Sequence, residues 1–345
     1  MIASSSSIQR SHTFLKVLLS LIIPLLGIRL LGFINILPTQ GWTREILLRA
    51  QDGVTIFLGI MIEAVPFLLL GVVVSALMGV YVKEEVLLKY LPKNRFLLLI
   101  LLSFMGAVFP VCECGNIPVA RRLILKGLPV AGAITFLLAA PVINPVVLLS
   151  TWAAFSFDTR IVFYRFGFTL LIAVTIGFLF SFNRKQEEFL QEETLLLCEH
   201  SGNFTSSKGF KEKMSRVLHI IYTEFFEMGQ ILVLGAAIAA LTQTLVPREV
   251  LLKLGQGPIL SIISLMILAF VISICSTVDA FFALSYANTF TNGSLLAFLV
   301  FGPMMDIKST LMMLTTFKVK TVVWIIILSA QLTLLLTLFL NLRIG

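Results

Sequence analysis

Nine long apolar stretches follow one another along the chain, separated by shorter polar segments. They lie at approximately 14–37, 54–82, 96–119, 129–157, 160–182, 214–246, 258–290, 294–317 and 320–342. A stretch of about 18 or more apolar residues matches the hydrocarbon core of a bilayer, which is about 30 Å thick. The pattern therefore predicts an all-α polytopic membrane protein with about seven to nine membrane segments.

The composition and the distribution of charge agree with this prediction. Hydrophobic residues make up 58% of the 345 residues and charged residues only 13%, whereas soluble domains carry about 25% charged residues. The net charge is +8, but the Lys and Arg residues lie in short clusters between apolar stretches and are typical of topology signals. The lipid bilayer is the expected partner, and no nucleic acid is expected.

Two halves of the chain are related by an internal repeat. The sequence EVLLK occurs at 85–89 and again at 249–253. The same register aligns Glu63 with Glu227 and Gly71 with Gly235. Short gaps extend the correspondence to Cys112 and Cys275, Asn116 and Asp279, Pro141 and Pro303, and Asn144 and Asp306. Such agreement between special residues indicates a duplication, and secondary transporters are commonly built from repeats that enclose a site.

The longest polar segment separates the two halves. It is rich in Lys, Glu, Ser and Gly, which is typical of a soluble linker. We predict an N-terminal membrane anchor helix and connection at 1–50, a first repeat at 51–182, a polar linker at 183–213 and a second repeat at 214–345.

The basic residues predict how the segments cross the membrane. Nine strictly alternating crossings place twelve Lys and Arg residues on each side, which contradicts the excess of positive charge expected in the cytoplasm. If the segments at 96–119 and 258–290 enter and leave on the same side, seventeen fall in the cytoplasm, with Arg121 and Arg122 among them, and seven outside, with Arg165 among them. Each half then crosses three times. We therefore predict two inverted repeats with broken or re-entrant helices and a cytoplasmic linker.

The densest group of special residues is PVCECGNIP at 110–118, followed by PVINP at 141–145. Prolines at 110, 118, 141 and 145 are expected to interrupt helices and to free carbonyl groups and helix ends for a solute. Asn116 and Asn144 lie in these two segments. We predict that both belong to a substrate-binding site.

Cysteines add a second chemistry to this site. Cys112 and Cys114 place two soft thiols on one short segment, and Cys275 lies at the corresponding place in the second half. Thiols suit Cu(I), Zn(II) or trivalent arsenic, and Glu113 between them is able to supply charge or accept a proton. We predict all three cysteines as substrate ligands, with Cys112 and Cys114 as metal ligands. The alternative is that they are packed, inert thiols.

Ionisable residues inside apolar stretches form the last group of candidates, and these are Glu63, Glu227, Asp279, Asp306 and Lys308. A charge in the hydrocarbon region costs several kcal/mol unless it is paired or hydrated, which favours a functional role. We predict that they handle charge or protons, with structural ion pairs as the alternative. The chain has no phosphate-binding loop or nucleophilic triad, so neither an enzyme nor a resident cofactor is expected.

The segments PVCECGNIPVARRLILKG (110–127), FLLAAPVINPVVLLS (136–150) and FGPMMDIKS (301–309) resemble one bacterial permease family. That family contains the methylarsenite efflux permease ArsP and the YraQ-type permeases, and the resemblance covers roughly residues 50 to 342. It implies a multi-helix permease of the inner (plasma) membrane, with precedent for exporting trivalent organoarsenicals through membrane cysteines. Cys112, Cys114 and Cys275 are the positions in this chain that match such a role.

The leading hypothesis is a secondary-type permease that exports a small soft metal or metalloid species. Three alternatives stay open: a permease for a different small solute with structural cysteines, a membrane thiol oxidoreductase that uses Cys112 and Cys114, and a non-transporting subunit that docks through its linker. The sequence also leaves a homo-oligomer open.

Overall fold

The computed structural model of the chain describes residues 42–82, 84–92, 94–108, 112–155, 159–183, 186–191, 194, 210–245, 257–287 and 289–344. The predicted first membrane segment at 14–37 lies outside these residues, as do Cys198 and the second EVLLK segment at 249–253.

The first half contains eight described helices. They are α1 (Trp42–Tyr81), α2 (Glu84–Tyr90), α3 (Arg95–Ser103), α4 (Met105–Val108), α5 (Glu113–Leu125), α6 (Val130–Ala139), α7 (Pro145–Ala154) and α8 (Thr159–Ser181). The second half contains α9 (Phe210–Leu245), α10 (Pro258–Ile272), α11 (Asp279–Leu284), α12 (Asn292–Met304), α13 (Ile307–Met313) and α14 (Val319–Ile344). A single 3₁₀ turn, Gln186–Phe189, lies between the halves, and the described residues contain no strand.

Within the part of the chain that the structure describes, five stretches of helix are long and apolar enough to cross a membrane. They are Leu48–Tyr81, Thr159–Ser181, Lys211–Leu245, Asn292–Met313 and Val319–Arg343. Shorter apolar helices lie between them. The prediction of an all-α polytopic membrane protein is confirmed.

Both segments that were predicted to be broken are interrupted. In the first half, α4 ends at Val108 and the next helix begins only at Glu113. In the second half, α10 ends at Ile272, where Ser273 adopts a left-handed conformation with φ of 50°, and α11 begins at Asp279. Left-handed backbone ends a helix because the following residue leaves the helical path. The sequence therefore located these two breaks correctly.

Two further breaks lie within the stretches 129–157 and 294–317. The first was expected from Pro141 and Pro145, whereas the second was missed because 294–317 was taken as one continuous segment. Helix α6 ends before Ala140 and α7 begins after Asn144, whose side chain accepts a hydrogen bond from the Val146 N–H at 3.0 Å. Likewise α12 ends at Met304, and α13 begins after Asp306, whose Oδ1 accepts from the Ser309 N–H at 2.6 Å. Asn and Asp favour such N-cap positions, so each starts a new helix.

One predicted break was wrong. Pro118 lies inside α5 rather than between helices. Because proline lacks an N–H, the carbonyl of Cys114, one turn earlier, loses its helical donor while the helix itself continues.

The two halves share part of their helix order. Each begins and ends with a long helix, with six described short helices between them in the first half and four in the second. Asn144 and Asp306, which the sequence aligned, each cap the last short helix of their half. The duplication itself stays a prediction from the sequence.

The core lies around α6 and α12. Helix α6 is strongly apolar, and every one of its residues is buried within the protein rather than facing lipid. Nearly all of α12 is buried as well. By contrast, α1 and α14 expose large apolar side chains such as Leu69 and Leu335, as expected of helices that face lipid. The short helices α5, α6 and α12 are therefore enclosed by protein, where interrupted backbone is tolerated, while α3, α7 and α10 each expose one apolar side.

The start of the predicted linker is attached to the second half. Gln191 N–H donates to the Thr316 carbonyl at 3.0 Å, and Lys318 N–H donates to the Phe189 carbonyl at 3.0 Å. The Leu190 side chain is buried. These bonds fix residues 189–191 beside the N-terminus of α14, and α9 begins at Phe210, within the predicted linker.

We predict that Gly71→Ala destabilises the fold. Helices α1 and α5 approach so closely that a Cβ at Gly71 would fall on the backbone of Gly115. Overpacking of this kind costs about 1–3 kcal/mol. Thermal unfolding of the purified protein in detergent measures the effect.

The matched control is Gly59→Ala on the same helix, because a Cβ there meets nothing within 4 Å. We expect its midpoint to equal that of the parent. Equal midpoints for both variants would contradict the close packing of α1 on α5.

Candidate functional site

Three cysteine side chains from the two halves come together at the helix breaks. Cys112 is the N-cap residue of α5, Cys114 lies in the first turn of that helix, and Cys275 lies between α10 and α11. The Cys112 thiol neighbours the thiols of both Cys114 and Cys275. All three are buried and none forms a disulfide. Cys112 is therefore the thiol common to both contacts.

A buried ammonium group lies beside these thiols. Lys308, in the first turn of α13, is 2% exposed, and its Nζ lies 3.0 Å from Glu113 Oε1 and 3.6 Å from Asp306 Oδ2. The same Nζ donates to the Ser273 carbonyl at 3.0 Å. Lys308 thus joins α13 to the break after α10 in its own half and to α5 of the first half.

Glu113 is placed between the thiols and this ammonium group. The Lys308 Nζ lies at ion-pair distance from the Glu113 carboxylate. Neither carboxylate oxygen, however, accepts a hydrogen bond from a described residue. A buried carboxylate normally accepts hydrogen bonds. Glu113 is therefore available to accept a proton or to contact a solute.

Asp279 lies in a second ion pair, and its partner was missed by the sequence analysis. Arg165 of α8 donates from Nη1 and Nη2 to the two carboxylate oxygens of Asp279, at 3.1 and 2.5 Å. Arg165 is fully buried and also donates to Thr151 of α7 at 2.6 Å. Arg165 was counted as an outside topology charge, although its position within the apolar stretch at 160–182 was a signal that could have identified it.

Two more ion pairs join α5 to α9, and both involve residues that the charge count had treated as topology signals. Arg121 donates to Glu227 at 2.7 Å. Arg122 donates to Glu224, which also accepts a hydrogen bond from Ser75 of α1 at 2.7 Å. Glu224 was missed, although it lies one helical turn before Glu227 in the same apolar helix.

The remaining predicted residues are dispersed. Glu63 is half-buried on α1, and the described residues show no ion pair for it. Asn116 is fully buried on α5, close in sequence to the thiols. The Asn144 side chain caps α7. The structure therefore brings together Cys112, Cys114, Cys275, Asp306 and Lys308. Asn116 and Asp279 lie one turn from these thiols, since their N–H groups donate to the carbonyls of Cys112 and Cys275, each at 3.1 Å.

A resident metal ion is a poorer match to this cluster than a transient ligand. Within the described ranges, no group of three or more His, Cys, Asp or Glu side chains is arranged to hold a metal ion. A structural zinc site needs four ligands at tetrahedral positions. Cys112 instead makes two separate contacts, one with Cys114 and one with Cys275. This arrangement suits a solute that is bound by one or two sulfur atoms.

We predict that the Arg165–Asp279 pair stabilises the fold as a unit. Removal of one partner leaves a buried charge and should destabilise the protein by about 3–5 kcal/mol. Arg165→Met and Asp279→Leu should each lower the unfolding midpoint sharply, while the double variant recovers much of the loss. Glu63→Gln is the control and should have little effect.

Thermal unfolding of the four variants in detergent measures this. If the double variant were as unstable as the sum of the two single variants, the direct pairing of Arg165 with Asp279 would be wrong.

Membrane-crossing helices around short, broken ones that carry buried charges and thiols define a polytopic membrane protein of the permease class. A family model described as "Predicted permease", ArsP_1, matches residues 50–342. The chain belongs to this family of predicted permeases.

Two relatives support the same assignment. The UPF0718 protein YcgR of Bacillus subtilis strain 168 is 44% identical over 269 residues, which cover 78% of this chain and 90% of the relative. A protein of Streptococcus mutans, whose name describes a subunit of a two-component membrane permease complex, is 38% identical over 265 residues, covering 77% and 87%. No solved structure matches the chain.

Proposed function

We propose that this permease exports a small soft metal or metalloid species, a trivalent arsenical or a similar compound, by a secondary-type mechanism. The observation that supports the proposal most strongly is the position of Cys112, whose thiol is in range of Cys114 and of Cys275. Soft thiol ligands select soft ions and metalloids over oxygen-loving cations. The earlier resemblance to organoarsenical exporters points to the same class of solute.

The chemistry of binding balances without any further reactant. When a thiol S–H reacts with an arsenic–hydroxyl group, an As–S bond forms, the As–O bond breaks, and the thiol proton leaves with the hydroxyl group as water. Two thiols and a dihydroxy organoarsenical therefore give two As–S bonds and two waters, with no change of oxidation state. The bound species is neutral, which suits a site enclosed by apolar protein.

A Cu(I) ion would require a different proton balance. Each thiol that binds a metal cation must lose its proton. Glu113 adjoins Cys112 in the chain and has no hydrogen-bond partner on either carboxylate oxygen among the described residues. It is the nearest group in sequence that is able to accept such a proton.

The two halves supply different ligands, which offers a route to transport. Cys112 and Cys114 belong to the first half and Cys275 to the second. A movement of one half against the other would change how many sulfurs reach the solute. We propose that the halves are inverted repeats that expose this site alternately to the two faces of the inner membrane, with the linker at 183–213 in the cytoplasm.

The buried charges fit this proposal as the connection between the halves. Lys308 reaches from α13 to Glu113 of α5, and two Arg–Glu pairs join α5 to α9. Charged contacts of this kind have few alternative partners inside a membrane, so they favour discrete arrangements of the helices. We assign Lys308, Asp306 and Glu113 to charge handling at the site, and Glu227 and Asp279 to the contacts that hold the helices.

A second candidate role is that of a subunit in a larger permease complex. It is supported by the name of the Streptococcus mutans relative, which describes a complex subunit. Attachment of residues 189–191 to the second half leaves less of the linker for docking a partner than the sequence suggested.

We predict that Cys112→Ser abolishes efflux of a trivalent organoarsenical and that Cys114→Ser and Cys275→Ser reduce it at least tenfold. The physical reason is that a serine hydroxyl does not replace a soft sulfur ligand. Uptake into inverted proteoliposomes that contain only the purified chain is the measurement, and Cys198→Ser in the linker is the matched control.

Unchanged efflux by Cys112→Ser would rule out the thiol mechanism and favour a different solute. Absence of transport by the purified parent chain, together with transport in intact membranes, would favour the role of a complex subunit.

A further inference from the structure

A cavity of about 390 Å³, mostly apolar but with five polar side chains in its lining, lies at one end of the helix bundle, where α8 and α12 begin and α14 ends. Its polar lining comes from Arg160, Tyr164, Thr291, Asn292 and Asn341. Asn341 accepts a hydrogen bond from the Gly293 N–H at 3.0 Å, while its buried Nδ2 has no partner among the described residues. The cavity thus offers polar groups that the protein itself leaves unsatisfied.

A stripe of buried hydroxyl groups leads from this cavity into the membrane interior. Ser329, Thr333 and Thr337 of α14 are each fully buried, and Asn341 continues the same spacing of four residues. Residues four apart lie on one face of a helix. Twelve residues correspond to about 18 Å of helix, more than half of the hydrocarbon thickness. The buried face of α14 is therefore polar from the cavity to mid-membrane.

Two of these hydroxyls lack the bond that such groups usually make. A Ser or Thr inside an apolar helix normally donates to a carbonyl one turn earlier. Thr337 does so to Thr333 and Thr169 to Arg165, both at 2.7 Å. Ser329 Oγ and Thr333 Oγ1 are buried and have no partner among the described residues. Because buried hydroxyls are nearly always paired with protein or with water, these two are placed to bond water or a solute.

The position of the stripe gives the path a direction. Helix α14 begins beside the attached start of the linker, where Lys318 bonds Phe189, and runs away from it towards Asn341. The cavity therefore opens on the face opposite the linker. The stripe contains hydroxyl and amide groups but no acid, and Arg160 lies at its mouth. This chemistry suits a neutral, hydroxylated solute better than a cation.

We propose that the cavity and the hydroxyl stripe form a hydrated path by which a small neutral hydroxylated solute leaves the membrane interior on the face opposite the linker. The direction in which the solute moves along this path rests on the proposed export function. When water reverses thiol binding, it regenerates the hydroxide of the trivalent metalloid. That hydroxide is a small neutral hydroxylated solute of this class.

Cysteine accessibility tests the path. Thr333→Cys, Thr337→Cys and Ser329→Cys, each combined with Cys198→Ser, are treated in intact cells with a charged, membrane-impermeant methanethiosulfonate. The control is Leu335→Cys, which lies at the same depth on α14 but is 61% exposed on the lipid-facing side. Thiols react with this reagent as thiolates, which form in water and not in lipid.

The proposal predicts that the three stripe cysteines react at least ten times faster than Leu335→Cys, in the absence of any arsenical. Rates equal to that of Leu335→Cys would overturn it. Ser329→Cys changes only oxygen to sulfur, so it tests the stripe even if the threonine variants do not fold.

The outcome is separable from that of the proposed function. If the stripe cysteines label fast but Cys112→Ser does not change arsenical efflux, the path is supported and the thiol mechanism is contradicted. If the stripe cysteines do not label but Cys112→Ser abolishes efflux, the path alone is contradicted.

Discussion

A helix that stops inside a membrane leaves backbone N–H and C=O groups without partners, and lipid offers none. Among the described residues the short helices are broken at four places, and at three of these the structure shows a side chain that bonds the freed backbone. Asn144 and Asp306 cap the N-termini of α7 and α13. The Lys308 ammonium donates to the carbonyl of Ser273, the left-handed residue that ends α10. Every other feature of the site depends on this internal satisfaction of broken backbone.

The same groups tie the two halves together. Lys308 caps one break in the second half and contacts Glu113 at the start of α5 in the first half. Arg165 of the first half reaches the start of α11 in the second through Asp279. The broken helices of each half thus lie against elements of the other half. The thiols of Cys112 and Cys275 meet where these cross-half contacts converge.

The sequence predicted the class of fold because hydrophobicity over about 20 residues is a direct consequence of bilayer thickness. It also predicted the breaks before Glu113 and after Ile272, since cysteine, proline and Asx residues interrupt the apolar pattern there. Pro141 and Pro145 also indicated the break at Asn144, but the break at Asp306 was missed, because there the cap is one side chain and the residues before it stay apolar. Hydrophobicity alone does not show a helix cap, because a cap depends on the geometry of a single side chain.

The candidate residues were easier to find in the sequence than their partners. The repeat aligned Cys275 with Cys112, although alignment alone did not show that the two thiols approach each other. The partners of Asp279 and Glu227 were not, because Arg165, Arg121 and Arg122 had been assigned to the membrane surface. A Lys or Arg near the end of an apolar stretch has the same sequence signature whether it reaches water or pairs inside the protein. Only the packing of α5 and α8 distinguishes the two.

The central claim is that thiols from both halves hold one solute, and arsenic K-edge X-ray absorption of the purified chain loaded with a trivalent organoarsenical tests it most directly. The account predicts sulfur in the first shell of arsenic, with a lower sulfur number in Cys275→Ser than in the parent chain and the same number in Cys198→Ser. A first shell of oxygen alone, or a sulfur number unchanged by Cys275→Ser, would contradict it.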